Sequence, residues 1–360
     1  MVKQTPFAIT LLPLILLLFV LTVIYANVEA EVEGANKSYG VYNKSNNSVK
    51  LFVFGDSYVD TGNLVNSESY KPPCGITFPG KPAGRFSDGR VLTDYVASFL
   101  KIESPTPYAF RNSSEVKYGM NFAYGGTGIF DTLIDGPNMT VQIDLFEKLI
   151  EQKVYTKHDL ESSIALVNAA GNDYGTFILK NGSTQDIPAF SASLIKQMSL
   201  NLKRIHSFGV NKIAVGLLEP VGCMPMLTAT SSYDKCIENF NLVSQNHSQL
   251  LLQTVQDLNN KMRKPVFVTL DLYNSFLSTI ATMQKKRAEN STVTNPLQPC
   301  CVGVSEGFHC GSVDEKGEKK YTLCEKPELS FFWDSVHPSQ NGWNEVYKML
   351  QSSLPKLIDI

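Results

Sequence analysis

A short apolar run that stops at a turn is the feature that most constrains how this chain folds. The run spans Leu51 to Phe54, and Gly55-Asp56-Ser57 follows it directly. Apolar runs of this length between turn residues are typical of strands buried on both faces of a parallel sheet. Because open α/β sheets bind ligands beyond the carboxyl ends of their strands, Ser57 is a candidate nucleophile. Taken alone, Gly-Asp-Ser is more typical of a simple strand-to-loop turn.

Apolar patterns of two kinds alternate along the rest of the chain. One run typical of a buried strand begins at Gly119. Three others cover Ile164 to Asn168, Lys212 to Leu218 and Pro265 to Leu270. Apolar residues at helical spacing predict helices over Val91 to Leu100, Val141 to Ile150, Pro188 to Phe208 and Phe240 to Met262. This alternation predicts an α/β fold with a mainly parallel central sheet. Because no linker or repeat follows residue 50, we expect residues 50–360 to form a single domain.

The amino terminus has the order of features found in export signals. Lys3 precedes an apolar stretch from Phe7 to Tyr25, and the small residues Ala26 and Ala30 follow it. We therefore predict a secretory signal peptide over residues 1–30, with cleavage between Ala26 and Ala30. An uncleaved membrane anchor is the alternative, since the stretch is long enough to span a bilayer. After cleavage we expect a secreted, extracellular protein with no stable membrane insertion.

Composition and glycosylation motifs agree with export. Residues 31–49 are rich in Asn, Ser and Lys, which predicts a polar, glycosylated lead-in without a packed core. Asn-x-Ser/Thr triplets are acceptors for N-glycosylation in secreted proteins. They begin at Asn36, Asn43, Asn46, Asn112, Asn138, Asn181, Asn246 and Asn290. The density of these triplets, rather than any single one, supports a glycoprotein.

The 7 cysteines predict disulfides, because exported chains fold in oxidising compartments. Cys223 and Cys236 bracket a short loop and make a plausible pair, and the odd count leaves at least one cysteine unpaired within a single chain. Four more crowd one late segment, at Cys300, Cys301, Cys310 and Cys324. Zinc is the alternative there, since a histidine adjoins one of them, but the spacing lacks the paired CxxC pattern of zinc sites.

Charge and glycine spacing argue against two classes of ligand, nucleic acids and nucleotides. The net charge of -2 over 360 residues argues against a nucleic-acid partner, which usually requires a basic surface. The cluster Gly125-Gly126-Thr127-Gly128 lacks the spacing of nucleotide-binding loops. Its bare backbone N–H groups nevertheless follow a predicted strand, so they belong at the mouth of the sheet. The polar pair Asn172-Asp173 follows another predicted strand in the same way.

An aromatic run near the carboxyl end leads into Asp334-Ser335-Val336-His337. A turn-like loop with this spacing places the carboxylate beside the imidazole, which is the base-and-orienter half of a Ser-His-Asp triad. Taken alone, the pair is more typical of a histidine capped by a local carboxylate. Ser305 lies in a G-x-S-x-G pattern, but that motif requires a buried strand before it and a helix after it. The cysteine-rich loop predicts neither, so we do not expect Ser305 to be a nucleophile.

Taken in order, these motifs resemble the four sequence blocks of the plant secreted GDSL esterase/lipases, a family of the SGNH hydrolase superfamily. The resemblance extends from about Lys50 to the carboxyl terminus. Its blocks are Gly55-Asp56-Ser57, Asn121 to Gly128, Gly171-Asn172-Asp173 and Asp334-Ser335-Val336-His337. One departure is Tyr58, which stands where the family name has a leucine.

The resemblance implies a fold and a triad. The implied fold is a three-layer α/β/α sandwich of the SGNH or flavodoxin-like kind, with neither a metal nor a cofactor. The implied triad has Ser57 as the nucleophile, His337 as the general base and Asp334 as the group that orients the base. A hydroxyl is a poor nucleophile until a neighbouring imidazole removes its proton, so the chemistry agrees with these roles.

The resemblance also implies an oxyanion hole made by the Ser57 N–H, the Gly126 N–H and the Asn172 side-chain amide. Gly125 is the alternative to Gly126, because the sequence leaves the register of the glycine cluster open by one position. The implied activity is that of a monomeric serine hydrolase acting on small-molecule or lipid esters through an acyl-enzyme. An acyltransferase, a catalytically idle lipid- or carbohydrate-binding protein and a metallohydrolase are the alternatives.

Overall fold

The structure is a computed structural model that describes residues 49–112, 116–289 and 294–358. The predicted signal peptide (1–30) and the lead-in up to residue 48 lie outside the described residues. The sequons at Asn36, Asn43, Asn46 and Asn290 lie outside them too. Within the described ranges, no helix combines the length and apolar character that crossing a membrane would require.

A parallel sheet forms the centre of the fold. Its strands are β1 (Leu51–Gly55), β2 (Thr106–Pro107), β3 (Gly119–Asn121), β4 (Ile164–Asn168), β5 (Lys212–Gly216) and β6 (Phe267–Leu270). Their spatial order is β2-β3-β1-β4-β5-β6, and every neighbouring pair is parallel. The prediction of a mainly parallel sheet is therefore confirmed. Because β1 lies between β3 and β4, the loops after these three strands emerge side by side at the carboxyl edge.

Helices cover both faces of the sheet. They are α1 (Leu92–Phe99), α2 (Met139–Glu151), α3 (Lys157–Glu161), α4 (Gly171–Leu179), α5 (Ile187–Ser207), α6 (Pro225–Thr228), α7 (Glu238–Met262), α8 (Leu272–Glu289) and α9 (Gln340–Leu350). Buried side chains of α2, α5 and α7 pack in one apolar core on one face. Those of α1, α8 and α9 pack in a second core on the opposite face. The fold is thus the α/β/α sandwich that the resemblance implied.

The sequence of strand β1 is uniformly apolar because both faces of the strand are buried. Phe52 and Phe54 belong to the first core, whereas Leu51 and Val53 belong to the second. All four side chains are fully buried, and the ring of Phe52 lies 4.5 Å from the ring of Phe146 on α2. Burying each such side chain stabilises the fold by about 1.5–3 kcal/mol. In a strand that is covered on both faces, every apolar side chain contributes this stabilisation.

The predicted elements agree with the structure, but several observed elements had no prediction. Every predicted strand and helix has a counterpart in the same segment. The helices without a prediction include α4, α8 and α9, of which α4 begins at the glycine before Asn172. A separate antiparallel pair, β7 (Cys301–Gly303) and β8 (Tyr321–Leu323), also lies in the cysteine-rich segment.

Gln142 on α2 fixes the end of β1 just before the candidate nucleophile. Its side-chain oxygen accepts from the Gly55 N–H at 2.8 Å, and its amide nitrogen donates to the Gly55 carbonyl at 2.9 Å. The same nitrogen also donates to the Pro137 carbonyl at 2.9 Å. Gln142 is fully buried. Removing its amide would leave the buried Gly55 N–H without this partner, whereas the Gly55 carbonyl would keep the Tyr124 N–H at 3.0 Å.

We predict that Gln142→Leu lowers the free energy of unfolding by about 2–4 kcal/mol, because each unpaired buried polar group costs about 1–3 kcal/mol. Urea unfolding followed by fluorescence measures this loss. The matched control is Gln152→Leu at the exposed end of the same helix, which should change stability by less than about 0.5 kcal/mol. Equal effects of the two variants would contradict the bracing role of Gln142.

Candidate active site

The turn that carries Ser57 depends on a glycine at the end of β1. Gly55 has φ +145°, and a Cβ there would lie 1.9 Å from the carbonyl oxygen of Asn168 on β4. Only glycine permits this close approach of the two strands. The next residue, Asp56, donates its N–H to the same Asn168 carbonyl at 3.2 Å. The chain then turns, and Ser57 is held at the carboxyl edge with 7% of its surface exposed.

Aromatic packing and backbone pairing hold the segment that carries Asp334 and His337. The Trp333 side chain is fully buried, and the backbone N–H of Trp333 donates to the His337 carbonyl at 2.8 Å, which closes the turn between them. Its own carbonyl accepts from the Cys301 N–H at 2.7 Å. The segment is therefore fastened both to itself and to the antiparallel pair β7 and β8.

The structure brings Ser57, His337 and Asp334 into one chain of hydrogen bonds. Ser57 Oγ lies 2.8 Å from His337 Nε2, and His337 Nδ1 lies 2.8 Å from Asp334 Oδ2. An ionised carboxylate only accepts hydrogen bonds, so the proton of the neutral ring belongs on Nδ1. Nε2 is then free to accept the proton of the Ser57 hydroxyl.

Electrostatics distinguishes Asp334 from the other buried acids at this edge. Burial raises the pKa of Asp56 well above its ordinary value, and it raises the pKa of Glu219 to about 7. Burial acts on Asp334 in the same direction, but the charge of His337 and its hydrogen bond outweigh it and lower the pKa. The N–H groups of Val336 and His337 also donate to Asp334, at 2.9 and 2.8 Å. Asp334, whose side chain is 20% exposed, is therefore a carboxylate that its surroundings keep ionised.

The two glycines proposed for the oxyanion hole are in different situations. The Gly125 N–H donates to the carboxylate of Asp60 at 3.0 Å. No such partner among the described residues accepts from the N–H of Gly126 or of Ser57. Gly126 has φ +79°, a conformation that favours glycine. The structure thus favours Gly126 over Gly125 as the residue with an N–H available to a ligand.

Asn172 lies in the first turn of α4, beside the glycine cluster. Its side-chain nitrogen donates to the Thr127 carbonyl at 3.0 Å, which connects α4 to the residue after Gly126. An amide nitrogen carries two hydrogens, so one remains for a ligand. The neighbouring Asp173 accepts from the N–H groups of Ile129 and Phe130, both at 2.9 Å. Asp173 therefore stabilises the loop, whereas the Asn172 amide keeps one hydrogen available to a ligand.

Two aromatic residues that sequence reasoning did not place in the site contact the imidazole. The ring of Phe86 stacks on that of His337 with centroids 5.2 Å apart, and the ring of Tyr58 meets it edge-on at 6.0 Å. The Tyr58 hydroxyl also donates to the Val336 carbonyl at 2.7 Å. Tyr58, which stands where the family name has a leucine, thus connects the turn that carries Ser57 directly to the segment that carries His337. Only its position next to Ser57 could have drawn attention to it.

The cysteines form disulfides. The predicted pair Cys223–Cys236 is present. The late cluster pairs as Cys300–Cys324 and Cys301–Cys310, which leaves a buried, unpaired Cys74. In the described ranges, no group of three or more His, Cys, Asp or Glu side chains is arranged to hold a metal ion.

The G-x-S-x-G serine lies in an unsuitable setting for a nucleophile elbow. A short strand does precede Ser305, contrary to expectation, but β7 has only three residues and pairs antiparallel. The chain continues from Ser305 through turns rather than into a helix. Ser305 is also exposed, so the pattern lacks the buried strand and the helix that the motif requires.

The parallel sheet and the polar groups beyond its carboxyl edge define a hydrolase of the SGNH type. The chain belongs to the GDSL-like lipase/acylhydrolase family, whose sequence pattern matches residues 51–350. It is 49% identical over 332 residues to the GDSL esterase/lipase At5g03610 of Arabidopsis thaliana, covering 90% of this chain and 91% of that protein. It is 47% identical over 315 residues to the GDSL esterase/lipase At3g09930 of the same plant, covering 85% and 88%. These similarities make the protein a carboxylic ester hydrolase.

One solved structure that the chain resembles is distant from it in sequence. The acetylxylan esterase Axe2 of Geobacillus stearothermophilus aligns with a TM-score of 0.40 at 12% identity. The alignment covers 86% of this chain and 94% of that one.

We predict that Tyr58→Phe lowers kcat about fivefold with KM nearly unchanged, because losing a hydrogen bond worth about 1 kcal/mol loosens the imidazole against Ser57. Steady-state hydrolysis of p-nitrophenyl acetate measures both constants.

The matched control is Tyr95→Phe. Tyr95 is similarly buried, and its hydroxyl donates to the Gln340 carbonyl at 2.9 Å without touching the imidazole. It should lose comparable stability and keep its kcat. If both variants lowered kcat equally, the link from Tyr58 to Val336 would have no specific part in positioning His337.

Proposed function

We propose that this protein is a secreted, glycosylated serine hydrolase that cleaves carboxylic esters through a Ser57, His337 and Asp334 triad and an acyl-enzyme intermediate. The observation that carries the proposal is the 2.8 Å contact of Ser57 Oγ with His337 Nε2, together with the carboxylate on the opposite ring nitrogen. A nucleophile, a base and an orienting group in this relation are the requirements of acyl transfer through serine.

The first half of the reaction forms the acyl-enzyme. His337 Nε2 takes the Ser57 proton as Oγ attacks the ester carbonyl carbon, and Asp334 stabilises the resulting imidazolium. The carbonyl oxygen becomes negatively charged and binds to the N–H groups of Ser57 and Gly126 and to the amide of Asn172. His337 then gives its proton to the leaving alcohol oxygen, and the acyl group stays on Ser57.

The second half regenerates the enzyme. Water enters where the alcohol was, His337 removes its proton, and the hydroxide oxygen attacks the acyl carbon through the same oxyanion-stabilised geometry. Collapse of this intermediate returns the proton to Ser57 Oγ and releases the carboxylic acid. An alcohol in place of water would make the same site an acyltransferase.

Export of the chain is part of the proposal. The order of charged, apolar and small residues over residues 1–30 is typical of a secretory signal. Three disulfides among the described residues support an oxidising destination.

We predict that Ser57→Ala lowers kcat/KM for p-nitrophenyl acetate at least about 10³-fold, because loss of a nucleophile removes the acyl-enzyme route. The matched control is Ser305→Ala at the exposed G-x-S-x-G serine, which should stay within about twofold of the wild type since surface changes outside a site have small effects. Undiminished turnover in Ser57→Ala would overturn the mechanism. If that residual activity also disappeared with EDTA, a metal-dependent hydrolase would be favoured instead.

We predict that Asn172→Ala lowers kcat about 10²–10³-fold and changes KM little, because an oxyanion donor acts mainly in the transition state. Initial rates over a range of ester concentrations separate the two constants. The control is Asn274→Ala on α8, whose amide also makes a single hydrogen bond but to Asp271. An effect of Asn172→Ala confined to KM would remove Asn172 from the oxyanion hole.

A further inference from the structure

A cavity of about 410 Å³ adjoins the imidazole of His337. His337 and Phe86 line it, whereas Ser57, Gly126 and Asn172 do not. The cavity therefore lies on the side of the site that holds the base, away from the groups proposed to bind the oxyanion.

The lining of this cavity is mainly apolar. Met226, Val302 and Phe308 are among its lining residues, and their side chains are 57%, 42% and 38% exposed. Apolar side chains left together at a concave surface are typical of a binding site. The polar lining includes Asp334, Glu68 and His309, and Glu68 Oε1 lies 3.6 Å from His309 Nε2. The cavity thus has mainly apolar walls and a small number of polar groups.

The walls of the cavity are attached to the segment that carries the base. The Met226 N–H donates to the Ser335 carbonyl at 2.9 Å. On the other side, the Cys301–Cys310 disulfide lines the cavity, and the Cys301 N–H donates to the Trp333 carbonyl. A wall fixed to the base is preorganised, so a ligand loses little free energy in ordering it.

The position of the base decides which half of an ester this cavity receives. In acylation, the imidazolium formed on His337 must hand its proton to the leaving alcohol oxygen. That oxygen therefore lies next to Nε2, while the carbonyl oxygen points toward Gly126 and Asn172. We expect the substituent on the alcohol oxygen to extend from Nε2 past the imidazole toward the cavity, which His337 and Asp334 line.

We propose that the cavity lined by Met226, Val302, Phe308 and His337 binds the apolar alcohol moiety of the ester, so that the enzyme selects its substrates by their alcohol. This inference rests on the proposed serine mechanism. It assigns the substrate class as esters of apolar alcohols of several carbons, whose chain fills the cavity while the reacting oxygen stays at Nε2.

The same cavity receives an acceptor alcohol when the acyl-enzyme is present. His337 Nε2 removes the proton of the alcohol, and the alcohol oxygen forms a bond to the acyl carbon. The bond from that carbon to Ser57 Oγ then breaks, and Oγ regains a proton from the imidazolium. No oxidant, reductant or further reactant enters this exchange.

The test uses two ester series and one cavity variant in the full chain. In the alcohol series, methyl, ethyl, butyl and hexyl acetates share one acyl-enzyme, and in the acyl series, ethyl acetate, butyrate and hexanoate share one alcohol. For the wild type, kcat/KM should rise along the alcohol series by roughly threefold per methylene, as expected for burial of apolar surface. Met226→Trp, which fills the cavity, should lower the value for hexyl acetate at least about tenfold, with a smaller loss for shorter alcohols.

The matched control is Met349→Trp on α9, where the side chain is 51% exposed and outside the cavity lining. It should follow the wild type in both series. A larger effect of Met226→Trp on the acyl series than on the alcohol series, or no effect on either, would overturn the assignment. The proposed function fails separately, if Ser57→Ala hydrolyses the acetates as fast as the wild type.

A second measurement needs no variant and therefore does not depend on one folding. Wild-type enzyme turns over p-nitrophenyl acetate in the presence of methanol or 1-hexanol at equal concentrations, and gas chromatography quantifies the methyl or hexyl acetate formed. A cavity for apolar alcohols predicts at least about tenfold more hexyl than methyl ester, from the free energy of burying the additional methylenes. Equal yields would contradict an alcohol-binding cavity.

Discussion

The arrangement depends on one contact, the hydrogen bond between Ser57 and His337, which joins residues 280 positions apart in the chain. A hydroxyl and an imidazole this far apart in sequence stay 2.8 Å from each other only if several contacts fix the two loops that carry them. Gln142 fixes the strand before Ser57, and Tyr58 connects the nucleophile turn to the carbonyl next to His337. Trp333 closes the histidine turn from behind. Apolar burial stabilises the fold, and buried hydrogen bonds fix the positions of the Ser57 and His337 loops relative to each other.

Buried acids at the carboxyl edge serve two different purposes. Asp60 and Asp173 accept the backbone N–H groups of Gly125 and Ile129 and thereby hold the loop on either side of Gly126. Burial raises the pKa of each to about 6, so neither is as firmly ionised as an ordinary aspartate. Asp334 differs because its side chain is hydrogen-bonded to the ring of His337, which lowers the pKa of the carboxyl. The same residue type therefore acts as a scaffold or as an electrostatic group according to what it faces.

The sequence predicted what depends on local pattern and missed what depends on distant partners. The strand before Ser57 and the strand before Asn172 are continuous apolar runs, and both lie in the sheet as expected. Helix α8 went unpredicted although Leu272, Phe276 and Ile280 recur at helical spacing. The choice between Gly125 and Gly126 needed the contact with Asp60, which lies 65 positions away. The stacking of Phe86 on the His337 imidazole likewise joins residues far apart in the chain, so the sequence alone did not predict it.

The order of the parts along the chain has a consequence for biosynthesis. The proposed nucleophile follows the first strand of the sheet, whereas the base, its carboxylate and two disulfides all come from residues 300–337. Until that segment has been made, a nascent chain carries the proposed nucleophile without the imidazole that is proposed to activate it. Esterase activity through the proposed triad therefore requires translation to proceed at least as far as His337.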